Sequence, residues 1–187
     1  DGGIPPKKGP YTYNVEACDI DGDGDLDLLL DNSAATTGHS TQVLVNDGAG
    51  NFADESARIT GESKTDDNAV KCVDVDDDGD FDLVVASLSG KSEKLLINDG
   101  TGHFAAMTDG FPAVNDPTLG IDVADLDGDG KLDVVTGQGE STPRLNRIYK
   151  ASGASVADDK PPKLRAIETP APTAGAPIVM RLAVSDA

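Results

Sequence analysis

Apolar residues along this chain come in short runs rich in Val, Leu and Ile, each ending at a cluster of Asp, Asn and Gly. That punctuation predicts β-strands rather than helices. The runs YNVEACDI, LDLLLDN, TQVLVND and NFADESA fill residues 11–60. AVKCVDV, FDLVVAS, EKLLIND and HFAAMT fill residues 68–111. LGIDVADL, LDVVTGQ, LNRIYKA and a faintly apolar ASVADD fill residues 118–158. Four short strands recurring about every 50 residues predict an all-β fold of about three four-stranded propeller blades. Residues 1–10 are rich in Gly, Pro and Lys and read as an extended leader. From 159 the pattern changes: a Lys-Pro-Pro linker precedes LRAIETP and APIVMRLAVSD, two β-sandwich-like strands split by a Pro/Ala/Gly turn.

Between the first and second strand of each unit lies nearly the same nine-residue phrase: DIDGDGDLD at 19–27, DVDDDGDFD at 74–82 and DLDGDGKLD at 125–133. Calcium takes six to eight oxygen ligands, and short carboxylates at alternate positions of a tight loop supply them. Asp19, Asp21, Asp23 and Asp27 are the side-chain candidates of the first loop, with the Asp25 carbonyl. Asp74, Asp76, Asp78 and Asp82 are those of the second, with the Asp80 carbonyl. Asp125, Asp127, Asp129 and Asp133 are those of the third, with the Lys131 carbonyl. Gly24, Gly79 and Gly130 stand at phrase position 6, where the loop turns sharply. An EF-hand needs Glu at position 12 between helices. Here that position is Leu30, Val85 or Thr136, inside a β run. Zinc is disfavoured because no His or Cys stands among the ligands. The expectation is about three calcium ions.

The formal charge is −19, and the three loops hold five, six and four of the 34 acidic residues, so much of the acidity is ligand charge. No basic patch favours nucleic acid or an anionic membrane, and no apolar run is long enough to span a bilayer. Sites of the weaker calcium class work at millimolar calcium, which points outside the cell. Cys18 and Cys72 each precede a loop. A secreted context favours a bridge. Aligning the phrases puts the two cysteines one register apart, on opposite faces of equivalent strands, which favours two buried free thiols.

A second repeat supports the blades: VNDGAGNF at 45–52 matches INDGTGHF at 97–104, with Asp-Gly as a hairpin turn. The third unit has Lys150-Ala-Ser-Gly there, a degenerate turn that predicts a weak outer edge needing cover. The D-x-D-x-D-G-x-x-D loops and the NDGxGxF turns resemble the FG-GAP/VCBS repeats of integrin-α-like β-propellers over residues 11–158. The final segment is weakly similar to the start of a bacterial Ig-like module. The resemblance implies calcium-stabilised blades in secreted or cell-surface proteins used for cell adhesion and for carbohydrate or protein binding. Three units do not close a propeller of about four to eight blades. The chain is therefore expected to be part of a larger propeller or to associate with further copies.

No catalytic constellation is visible. His39 and His103 stand in polar turns, no G-x-S-x-G elbow occurs, and Asp66, Asp67, Asp109 and Asp116 read as solvated surface. The leading expectation is a non-catalytic, extracellular, calcium-binding adhesion or structural module. An accessory propeller part of a secreted polysaccharide lyase or hydrolase, and a subunit of an extracellular filament, are the alternatives.

Overall fold

A computed structural model of the chain describes residues 11–33, 40–89 and 92–152, together with the backbone of two later strands. The fold is all-β and built from propeller-like blades. The first sheet is the antiparallel meander β1 (Thr12–Cys18), β2 (Asp27–Asn32), β3 (Thr41–Asn46) and β4 (Phe52–Asp54), in that spatial order. A 3₁₀ turn, Ser56–Arg58, leads to β5 (Ile59–Thr60). The second sheet contains β6 (Asp67–Val73), β7 (Asp82–Ser87), β8 (Lys94–Asn98) and β9 (Phe104–Ala106). The third contains β10 (Thr118–Ala124), β11 (Asp133–Gln138) and β12 (Arg147–Tyr149). The fourth strand predicted at ASVADD, and His39, lie outside the described residues. Downstream, β13 (Lys163–Glu168) and β14 (Arg181–Ser185) pair antiparallel. Among the described residues no helix is long and apolar enough to cross a membrane.

The blades repeat in detail. Each innermost strand carries an irregularity at the same place, between Thr12 and Asn14, Asp67 and Ala69, and Thr118 and Gly120. The middle blade is covered on both faces, so all six residues of β7 are buried. That is why its sequence is a continuous apolar run rather than an alternating one. Toward the first blade the seam is filled by Cys18, Ile20, Leu29 and Val43 against Val70, Leu83, Val85, Leu96 and Phe104. Toward the third it is filled by Ala69, Val84 and Ala86 against Ile121 and Val134.

β5 leaves the first blade and pairs in parallel with β9, Ile59 opposite Phe104 and Thr60 opposite Ala105. The second sheet therefore has five strands, in the order β5-β9-β8-β7-β6. A two-residue strand is too short to show a period, so the hydrophobic pattern gave no sign of the exchange.

The cysteines correct the expectation of free thiols. Cys18 and Cys72 form a disulfide, with Cα atoms 6.6 Å apart and inside the range a bridge requires. Opposite register excludes a bridge only if the two side chains must leave equivalent faces. In stacked blades, the face that one blade turns to its successor is the opposite of the face its successor turns back. Opposite register is therefore what an inter-blade bridge demands.

Candidate metal centres

Each Asp-rich phrase joins the first and second strands of its blade: β1 to β2, β6 to β7, and β10 to β11. The loop closes through its own carboxylates. Position 1 accepts backbone N–H groups from across the turn: Asp19 from Gly22 and Gly24 at 2.8 and 3.1 Å, Asp74 from Asp78 and Gly79 at 3.1 and 2.8 Å. Asp125 likewise binds the N–H groups of Gly128, Asp129 and Gly130. Position 5 accepts from position 7, Asp23 from Asp25, Asp78 from Asp80 and Asp129 from Lys131, at 2.9–3.1 Å. The tight winding puts phrase position 4, as well as position 6, in the left-handed region. Gly22 and Gly128 occupy position 4 in the outer loops; the middle loop places Asp77 there at φ 64°, an uncommon conformation for a residue with a Cβ.

Position 9 is the deepest group: Asp27, Asp82 and Asp133 are all buried. Each latches two backbone segments. Asp27 accepts from Ile20 N–H at 3.1 Å and Asn46 N–H at 2.8 Å. Asp82 accepts from Val75 at 3.0 Å and Asn98 at 2.8 Å. Asp133 accepts from Leu126 at 3.3 Å and Ala151 at 3.0 Å. Burial pushes the Asp82 carboxyl up to about 6 despite these two bonds, with Asp76 and Asp78 adding to the rise. Burial also raises Asp27, with Asp21 and Asp23 contributing, and raises Asp76, with Asp78 and Asp74 contributing.

Carboxylate oxygens converge in every loop, but not from identical positions. Asp19, Asp21 and Asp27 bring oxygens within 4.8 Å of one another, as do Asp125, Asp127 and Asp133 (positions 1, 3 and 9). In the middle loop the converging set is Asp74, Asp76 and Asp78 (positions 1, 3 and 5). Asp23, Asp129 and Asp82 lie outside these groups. At position 7, the Asp25 and Asp80 carboxylates lie over the glycines of the NDG turns. A Cβ on Gly48 or Gly100 would fall within van der Waals distance of them. An all-oxygen, carboxylate-rich donor set fits a hard divalent cation. Asp21 Oδ1 is buried with no hydrogen-bond partner, so one lone-pair-bearing atom is available to an ion.

Two loops carry a cation at position 3 that the phrases did not announce. Arg58, from the 3₁₀ turn, donates to Asp21 at 3.3 Å, to Thr101 O at 3.2 Å and to Glu55 at 2.6 Å. Lys150 Nζ lies 2.5 Å from Asp127 and holds that carboxyl below its ordinary value. Asp76 has no such partner among the described residues, so the middle loop leaves its position-3 carboxylate without a cationic side chain beside it.

The NDGxG turns were legible as hairpins, but their asparagines do more. Asn46 Oδ1 accepts from Gly48 and Gly50, and Asn98 Oδ1 from Gly100 and Gly102. Asn98 Nδ2 also donates to Ile20 O in the first Asp-rich loop at 2.8 Å, across the seam. Two aspartates read as solvated surface are not. Asp67 is fully buried with Lys94 at 2.6 Å, and Asp116 pairs with Arg147 at 2.5 Å. Asp109 is exposed, as is His103, which lies 3.0 Å from the Thr101 hydroxyl.

Among curated proteins no sequence matches the chain. Residues 74–136, from the middle Asp-rich loop into β11, match the profile described as the FG-GAP-like repeat. These residues carry two of the three phrases and an NDGxGxF turn, so the chain contains an FG-GAP-like repeat.

Proposed function

We propose that this chain is an extracellular, calcium-binding adhesion or structural module with no chemistry of its own. One observation carries the reading: three equivalent connections of three stacked blades each converge carboxylate oxygens at a site that a hard cation would complete. In the first loop Asp19, Asp21 and Asp27 would hold the ion, with Asp23 and the Asp25 carbonyl. In the second Asp74, Asp76 and Asp78 would do so, with Asp82 and the Asp80 carbonyl. In the third the set is Asp125, Asp127 and Asp133, with Asp129 and the Lys131 carbonyl. Calcium supplies fixed positive charge that turns mutual carboxylate repulsion into a staple between the two strands. Repeats of this class serve as adhesion and structural parts, which supports carbohydrate, protein or further copies of the chain as partners. A disulfide between blades supports an oxidising, extracellular setting.

Thermal melting with calcium and then with chelator tests the reading. Binding to the native state alone stabilises by about 2.7 kcal/mol per site at 100 times Kd. A midpoint that does not move between the two conditions would overturn it.

A further inference from the structure

The three Asp-rich loops are equal in ligand carboxylates and unequal in what surrounds them. Every phrase has Asp at positions 1, 3, 5 and 9. Outside those positions the first phrase adds Asp25, the middle phrase adds Asp77 and Asp80, and the third adds Lys131. The cationic neighbours run the opposite way. Among the described residues no Lys or Arg pairs with Asp74, Asp76, Asp78 or Asp82 of the middle loop. In the first loop Arg58 lies 3.3 Å from Asp21. In the third, Lys150 lies 2.5 Å from Asp127 and Lys131 lies 3.5 Å from Asp129. The local charge is therefore most negative at the middle loop and least negative at the third.

Calcium affinity in loops of this kind is tuned by the charge count and by the rigidity of the site. A cation already on a ligand carboxylate opposes the ion whether it stays or leaves. If it stays, it repels a divalent charge; if it leaves, its own ion pair is lost. Arg58 is held in place. Glu55 binds its Nε at 2.6 Å and Thr101 O binds its Nη1 at 3.2 Å. Gly102 lies against it, where a Cβ would come 2.7 Å from Nη1. The guanidinium engages only Oδ2 of Asp21, and Oδ1 has no hydrogen-bond partner. The first loop thus keeps an open ligand atom beside a fixed positive charge. The third loop has cations on two of its ligand carboxylates, at positions 3 and 5. We infer that the three sites form a graded calcium series: the middle loop fills first, the first loop next and the third last, so that the third blade is stapled only when calcium is highest. The inference rests on the proposed function, in which all three loops take calcium. The grading makes the third blade the part of the molecule that responds to changes in calcium at levels that already fill the other two sites.

A calcium titration of the intact chain, followed through the amide resonances of Gly24, Gly79 and Gly130, tests it. Each of these N–H groups donates to the position-1 carboxylate of its own loop, Asp19, Asp74 or Asp125, and so reports its own site. The chain is first stripped with chelator. It is held at pH 7.5, above the value of about 6 to which burial raises Asp82, so that competing protons do not set the order. The midpoints are expected to rise in the order Gly79, Gly24, Gly130, by roughly fivefold for each cation present. Combining Lys131→Gln with Lys150→Gln is expected to lower the Gly130 midpoint by about fivefold or more and to leave that of Gly79 in place. Neither lysine is buried, so the variant removes charge from the surface. Coincident midpoints, any other order, or a Gly130 midpoint unmoved in the lysine variant overturn the inference and leave the proposed function standing. Three amides that calcium does not move overturn both.

Discussion

The two seams of this molecule join the same kind of blade by different means. The seam between the first and second blades is cross-linked at every level: the Cys18–Cys72 disulfide, the Asn98 bond to Ile20 O, the Arg58 link from Asp21 to Thr101, the β5 exchange and the Lys94 network. The seam between the second and third blades rests on a smaller apolar cluster. It adds the edge-to-face pair of Phe111 and Tyr149, with centroids 5.2 Å apart, and the Asn68 bond to Leu119 O. The difference teaches that matched apolar faces with a few polar ties are enough to stack two blades, and that a covalent bridge and a denser polar network reinforce the first joint. It also separates the Asp-rich loops. The first is tied to the neighbouring blade by Asn98 and Arg58, whereas the middle loop has Ala151, not asparagine, at the equivalent of Asn98.

The largest expected effect breaks the stronger seam. Cys18→Ser opens a bridge between residues 54 apart in sequence, for which loop-closure entropy gives about 4 kcal/mol. Chemical denaturation should show that loss in the first seam, leaving the Phe111–Tyr149 contact intact in near-ultraviolet spectra until global unfolding. Next in size is calcium removal, about 2.7 kcal/mol per site at 100 times Kd. With chelator, hydrogen exchange should accelerate more at residues 74–82 than at 19–27, because Arg58 and Asn98 continue to brace the first loop.

The calcium effect should itself depend on pH. Burial raises Asp82 to about 6 in the metal-free fold, above the ~3.9 of an unfolded aspartate. The native state therefore holds this proton more tightly than the unfolded chain. The stability it contributes is fully present below ~4 and is lost as pH rises through 6. Calcium ligated by Asp82 would have to displace the proton, so on the proposed function the calcium-induced rise in melting midpoint should be larger at pH 7.5 than at pH 5. Equal rises at both values would remove Asp82 from the site. A smaller loss is expected at the weaker seam, where Phe111→Leu forfeits the edge-to-face pair at about 1 kcal/mol, read from the shift in denaturation midpoint. Asp77→Gly should gain up to about 1 kcal/mol by relieving the left-handed backbone of a residue that carries a Cβ. Equivalent glycines already occupy the outer loops.

The blades were legible because strand period, Asp-Gly turns and carboxylate spacing are all local signals. β2, β7 and β11 begin at the last Asp of each phrase, where the apolar runs predicted strands. Local signals also gave the winding of the loops, since position 6 needed no Cβ. What escaped was non-local. The disulfide depends on how two sheets face each other, not on the register within one. Asp67 looked like surface because its partner Lys94 is 27 residues away. Arg58 and Lys150 reach the Asp-rich loops from outside any repeated phrase, so no spacing could mark them. Asn98 could have been found, because asparagine opens both NDGxG turns, but its reach across the seam could not.

The β5 exchange puts the sequence repeat and the cooperative repeat out of phase. A boundary drawn by phrase similarity at residue 68 would excise the second blade without Ile59 and Thr60, baring the outer edge of β9 and leaving Phe104 without its neighbour Ile59. A cut made before residue 56 would carry that edge along with the blade. Transplanted or permuted blades of this kind are therefore best divided inside the turn that follows β4, so that each inherits the closing strand of its predecessor.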